Sequence, residues 1–305
     1  VSTARRAGYR LLGRRFDYLL HLRPAEWPIM AAHTAVGYLL AVGVPGALAG
    51  VRLGDAALGL ALWVVCLNGG TLALNSAFDR DQGDIAYLRR PPPPPRALAP
   101  ASLALMAAGQ AVAFVLPPAY RVAYALCFGL SVLYSVPPFR LKAVAGADWI
   151  INMVGFGALT PYAGWATTGL PLDPGRGLAL AAFCPLFAGL YPLTQIYQLE
   201  EDTRRGDRTL AVVLGAGGSL DAALGAVSVA FALFAAAGVT AGWRGGAGGL
   251  RWVGLALALA GWVAVLLPWR RSWRSDTPAE HQRGMYRALA AWALTDAVVV
   301  AAWAA

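Results

Sequence analysis

The 305 residues are 58% hydrophobic and 13% charged, about half the charged share of an average soluble domain, which points away from a water-soluble fold and toward a helical membrane protein. The apolar runs are long and continuous, which excludes a transmembrane barrel of short alternating strands. A net charge of +9 would suit nucleic acid, but the 24 Arg and single Lys flank the apolar runs, as topology signals and anionic-lipid contacts do; membrane lipids, not nucleic acid, are the expected surroundings.

In chain order, residues 1–22 form a basic segment with Arg5, Arg6, Arg10, Arg14 and Arg15. The apolar run that follows continues at spanning length, so no cleavable signal is expected. A hydrocarbon core of ~30 Å takes about 20 helical residues. Nine stretches qualify: 25–43, 56–77, 97–116, 119–136, 149–168, 178–197, 219–241, 250–268 and 286–304. The expected fold is therefore an all-α integral membrane protein, a single unit over 1–305, with nine transmembrane helices bundled around a central cavity. Nineteen basic residues fall in the N-terminal segment and the even-numbered connections, against five (Arg52, Arg121, Arg176, Arg244 and Arg251) in the odd-numbered ones. The positive-inside rule then sets the N-terminus in the cytoplasm and the C-terminus outside, with a bacterial inner (plasma) membrane as the expected location. Prolines 91–95 read as a stiff polyproline II spacer at the surface. Cys66, Cys127 and Cys184 lie inside apolar runs without metal spacing and read as small core side chains.

Acidic residues gather after the second and sixth spans, both on the cytoplasmic side. The first cluster runs from Asn75 through Asp79, Arg80 and Asp81 to Asp84; Asn75 and Asp79 are four apart and share a helical face. The second holds Gln198, Glu200, Glu201, Asp202 and Asp207, with Gln198 and Asp202 again four apart. These two stretches hold seven of the 16 acidic residues. Carboxylates this crowded repel one another unless arginines or a metal offset the charge. Hard divalent cations such as Mg²⁺ take oxygen ligands and share them with substrate phosphates, so the pattern suits a Mg²⁺-bridged diphosphate. Two solvated charged loops are the plain alternative. Between the clusters, Tyr134-Ser-Val-Pro-Pro-Phe-Arg140-Leu-Lys142 brings Arg140 and the chain's one lysine to the same depth, as topology anchors or phosphate binders. Inside the spans, His33 and Asn152 suit either helix–helix hydrogen bonds or acceptor contact, and Asp296 requires a partner or a place near the outer end.

Taken together, these motifs resemble the UbiA superfamily of intramembrane prenyltransferases. That family carries Asn-x-x-x-Asp-x-x-x-Asp in its first acidic loop, Asp-x-x-x-Asp in its second, and a Tyr-x-x-Pro-Pro-x-Arg-x-Lys element like Tyr134–Lys142. Gly206-Asp-Arg208-Thr209 and Arg23-Pro24 also match. The resemblance implies Mg²⁺-dependent transfer of a prenyl group from its diphosphate to an apolar, aromatic acceptor near the cytoplasmic face. By that likeness Asp79, Asp202 and Lys142 are catalytic. Asn75, Asp79 and Asp202 hold the metal, with Asp81, Asp84 and Glu201 as substitutes where the family pattern is broken: the third position of the first motif is Gly83, and the first position of the second is Gln198. Substrate contacts fall to Asn75, Arg23, Arg80, Tyr134, Arg140, Asn152, Tyr197, Gln198 and Arg208. Phe78, Tyr134, Tyr191 and Tyr197 are candidates to face an allylic cation with their rings. A membrane terpene cyclase of the same fold, or a transporter or non-catalytic membrane protein, are the alternatives.

Overall fold

The computed structural model describes residues 3–79, 85, 88 and 90–305, and the side chains of all of these except 3, 4, 201 and 205. Two short N-terminal helices, α1 (Thr3–Leu12) and α2 (Phe16–His21), lead into the long ones: α3 (Trp27–Leu48), α4 (Leu53–Asp79), α5 (Leu98–Val115), α6 (Pro118–Ser135), α7 (147–166) and α8 (Pro174–Leu193). After α8 come a 3₁₀ turn, Ile196–Gln198, and the short α9 (Leu199–Arg205). The chain ends with α10 (Leu210–Thr240), α11 (Gly245–Ser272) and α12 (Pro278–Trp303). Starts are capped by local chemistry: Asp173 and Thr209 accept backbone N–H bonds at the heads of α8 and α10, and Thr277 with Glu280 forms a capping box on α12.

Among the described residues, seven helical stretches are long and apolar enough to cross a membrane: α3, α4, α5, α8 with its 3₁₀ turn, α10, α11 and α12. The expected count was nine. The other two rods, α6 and α7, are of similar length but are less apolar. Their polar side chains turn inward: Tyr120, Tyr124 and Ser131 of α6 and Asp148, Asn152 and Thr160 of α7 are buried. Inside, those groups are satisfied. The Tyr120 hydroxyl donates to the Gly59 carbonyl at 2.6 Å and that of Tyr124 to Met106 at 3.1 Å. A hydropathy average cannot distinguish such a rod from a surface helix.

Two cores meet around one cavity. The first joins α4, α5, α6 and the end of α7 through Trp63, Leu67, Met106, Tyr120 and Tyr124; the second joins α8, α10, α11 and α12 through Phe183, Leu186, Phe234, Trp262 and Trp292. α3 crosses α7 closely enough that a Cβ on Gly37 would collide with the Pro161 carbonyl, and one on Gly164 with that of Thr34. Small residues permit this contact where no aqueous hydrophobic effect drives helices together. α4 and α7 each contain a π-helical stretch, Leu62–Gly69 and Met153–Leu159, and both border the cavity.

Candidate functional site

The cavity has a volume of about 360 Å³, and residues at the ends of α4, α6, α8 and α9 are among those that line it. α4 delivers Asn75 and Asp79 one turn apart, as their spacing requires. The second cluster is built differently from the expected single helical face. Gln198 closes the 3₁₀ turn, and α9 begins as a new helix at Leu199, yet both Gln198 and Asp202 line the same cavity. Gly206 then ends α9 in the left-handed conformation (φ 75°) and the Asp207 N–H bonds the Asp202 carbonyl at 3.1 Å. This turn brings Asp207 back to the cavity wall.

The connection after α6 binds the two clusters together. Lys142 forms an ion pair with Asp79 Oδ1. Arg140 reaches Asp79 with one guanidinium nitrogen at 3.7 Å and Asp207 with the other at 3.2 Å. Arg140 itself holds a left-handed backbone (φ 37°), as does Arg23 (φ 51°); such strain in non-glycine residues concentrates at functional sites. The connection is fastened from below by Asp148, whose carboxylate accepts the N–H groups of Gly146 at 2.9 Å and Leu210 at 3.1 Å. It is fastened from the side by the Arg208 N–H, which donates to Ala143 at 3.2 Å.

Of the residues singled out in the sequence, Arg23, Asn75, Asp79, Tyr134, Lys142, Asn152, Tyr191, Tyr197, Gln198 and Asp202 all line the cavity. Arg140 reaches it through its ion pairs. Arg208 turns outward and is exposed, between Asp207 and Thr209, which face in; the stretch is extended here, so alternate side chains point to opposite sides. Phe78 packs against the first core instead of lining the cavity. Arg80, Asp81 and Asp84 lie outside the described residues, as does the Glu201 side chain. His33 and Asp296 pair with each other, Nδ1 to Oδ1 at 3.0 Å, away from the cavity lining.

The site also contains residues that motif spacing did not single out. Gln195 donates to the Tyr191 hydroxyl at 3.0 Å, and Tyr191 lies 3.1 Å from that of Tyr134. Arg23 donates to Ser76 at 3.2 Å, which ties the entry of α3 to the turn carrying Asn75. Glu26, one residue before α3, lines the cavity; burial pushes its carboxyl up to about 6, opposed by the nearby Arg23. The only sequence signal for Glu26 and Gln195 was their proximity to Arg23 and Gln198.

The donors suit a hard cation that shares a phosphate ligand. Asn75 Oδ1 is buried without a hydrogen-bond partner, and it lines the same cavity as the carboxylates of Asp79 and Asp202. Among the described residues no three His, Cys, Asp or Glu side chains converge to hold a metal on their own. An amide oxygen together with carboxylates is the kind of donor set that Mg²⁺ takes alongside water and substrate oxygens.

The sequence model of the UbiA prenyltransferase family matches residues 30–294. No curated protein matches. Among solved structures, a UbiA homolog from Archaeoglobus fulgidus bound to DMAPP and Mg²⁺ is 20% identical, with a TM-score of 0.65 over 93% of this chain and 99% of that one. The apo UbiA homolog from Aeropyrum pernix K1 is 21% identical, with a TM-score of 0.63 over 90% and 97%. A digeranylgeranylglyceryl phosphate synthase structure is 14% identical, with a TM-score of 0.67 over 94% and 98%. At these identities the likeness is one of fold.

Proposed function

Because this chain belongs to the UbiA prenyltransferase family, we propose that it is a Mg²⁺-dependent enzyme that transfers a prenyl group from a prenyl diphosphate to an apolar, aromatic acceptor within the membrane. The observation that carries this reading is the joining of two acidic loops, about 120 residues apart in sequence, on one cavity through Arg140. Structures of a UbiA homolog from Archaeoglobus fulgidus with the same fold hold DMAPP and Mg²⁺ or GPP and Mg²⁺.

Asn75, Asp79 and Asp202 would hold the Mg²⁺, aided by Asp81, Asp84 or Glu201. When bound, the ion neutralises charge that builds on the departing diphosphate. Lys142 and Arg140, now paired with Asp79, are the cations that meet the same diphosphate, and their fixed placement favours the charge-separated transition state. Arg80 is assigned a lesser share of that neutralisation, and Gln198 a polar contact to the diphosphate; the outward-facing Arg208 is left out of the site. Tyr134, Tyr191 and Tyr197 present rings and hydroxyls to the developing allylic cation, while the surrounding helices keep out water that would quench it. Arg23, fixed through Ser76, and Asn152 are assigned to the acceptor. In this account α6 and α7 also span the bilayer, giving nine crossings, with the N-terminus in the cytoplasm, the C-terminus outside and the site near the cytoplasmic face of a bacterial inner membrane.

Diphosphate release from geranyl diphosphate, measured with and without Mg²⁺ and with and without an aromatic acceptor, tests the reading. Release that needs both Mg²⁺ and acceptor supports transfer. Release without acceptor supports a cyclase, and no release from wild type rejects both.

A further inference from the structure

The same cavity has a second polar feature, deeper between the helices. α4 presents Asp79, Asn75, Leu72 and Asn68 to it in sequence, at the three-to-four-residue spacing of one helical face. At 1.5 Å per residue, Asn68 stands about 10 Å beyond Asn75 along the axis. It belongs to the π-helical stretch Leu62–Gly69, a geometry that recurs at functional sites.

The polar groups around Asn68 are satisfied by the protein. Thr71 donates to the Leu67 carbonyl at 2.8 Å and shares a 2.7 Å bond with Ser131. Trp63 donates to Thr160 at 3.2 Å, and Thr160 to the Gly155 carbonyl at 2.9 Å. Asn68 is only 5% exposed, and its Nδ2 is buried without a partner. Met30, Leu130, Phe156 and Phe187, which line the same cavity, have no side-chain oxygen or nitrogen to accept a hydrogen bond from it. A hydrocarbon tail lying here would leave the amide desolvated and unpaired, which is costly.

We propose that Asn68 donates a hydrogen bond to an oxygen of the acceptor, so that the acceptor is an apolar ring compound carrying a carbonyl or hydroxyl at the end remote from the diphosphate. Asn68 is then a specificity-determining residue; the assignment rests on the transferase reading above. A pocket built to hydrogen-bond a substrate oxygen discriminates strongly against the analogue that lacks it, because the buried donor is left unpaired.

The test uses the full chain in lipid nanodiscs with geranyl diphosphate and Mg²⁺. Two electron-rich rings that differ by one oxygen, 1,4-dihydroxynaphthalene and 1-naphthol, serve as acceptors. Wild type is expected to favour the dihydroxy ring by roughly tenfold or more in kcat/KM. Asn68→Leu is expected to reduce that preference to below about threefold, with the Kd for geranyl diphosphate unchanged. Asn68→Ala serves as the second variant if leucine is not tolerated. An equal preference in wild type and variant, or none in wild type, overturns the assignment. So does consumption of neither ring by a protein that still binds and cleaves geranyl diphosphate, since water or the prenyl chain itself is then the quencher. A wild type that neither binds nor cleaves geranyl diphosphate sinks the transferase reading itself, which is a separate result.

Discussion

Asp79 and Asp296 are both buried carboxylates, with side chains 8% and 12% exposed, and each is paired with a basic group. Asp79 faces Lys142 and Arg140 on the wall of a cavity. Asp296 faces His33, whose ring is packed between Phe183 and Trp292 at centroid distances of 4.9 and 4.8 Å. The difference lies in access and in surplus charge. Around Asp79 the cations are exchangeable, because a ligand entering the cavity can take them over. Around Asp296 the pair lies away from the cavity lining, with the His33 ring held between two aromatic side chains. Burial and pairing alone therefore do not distinguish a working carboxylate from a structural one; the cavity beside it does.

This contrast is sharpest in substitution. Asp79→Ala and Asp202→Ala are each expected to lower Mg²⁺-dependent diphosphate release by about 10³-fold or more, the scale of losing a preorganised charge at the reacting group, with thermal melting in detergent little changed. Asp296→Ala should behave in the opposite way. It leaves the buried His33 Nδ1 without its carboxylate partner, costs about 2 kcal/mol of stability and lowers the melting temperature, while release per folded molecule stays near wild type. A large loss of turnover in Asp296→Ala at unchanged stability would erase the distinction.

Arg140 probes the link between the two loops. Arg140→Leu is expected to weaken geranyl diphosphate binding roughly tenfold, the scale of one charge-assisted bond, and to loosen the Asp207 turn. Limited proteolysis near Gly206 would report that loosening. An Arg140→Leu protein with wild-type affinity and protection would mean that the loops hold together without it.

The smallest expected effect is at Glu26. Its carboxyl lies at about 6 in the folded protein against an ordinary 4.5. The folded state therefore holds that proton more tightly than the unfolded one, and stability falls as pH rises from about 4.5 through about 6. Melting temperatures recorded across that window should drop with rising pH in wild type, and Glu26→Gln should flatten the drop. Identical slopes would remove Glu26 from the account.

Much of this was legible in the sequence because it depends on local periodicity. Asn75 and Asp79 share a face because they are four apart on a helix, and apolar length alone identified most of the long helices. Gln198 and Asp202 have the same spacing, but a 3₁₀ turn and a fresh helix separate them, so the cavity is reached by a different route. The Arg140 link between Asp79 and Asp207, the Asp148 clamp on Gly146 and Leu210, and the inward-facing tyrosines of α6 depend on which rods become neighbours. No spacing rule carries that information. The outward turn of Arg208 follows from a single extended stretch, which the match to a motif could not reveal.

The central claim is that both acidic loops grip one ligand. Isothermal calorimetry of geranyl diphosphate with Mg²⁺, on wild type, Asp79→Ala, Asp202→Ala and the double variant, tests it most directly. If both hold the same diphosphate, each single substitution abolishes Mg²⁺-dependent binding and the double variant loses little more, as coupled residues do. Strictly additive losses, or full affinity in either single variant, would mean that the two loops serve separate ligands.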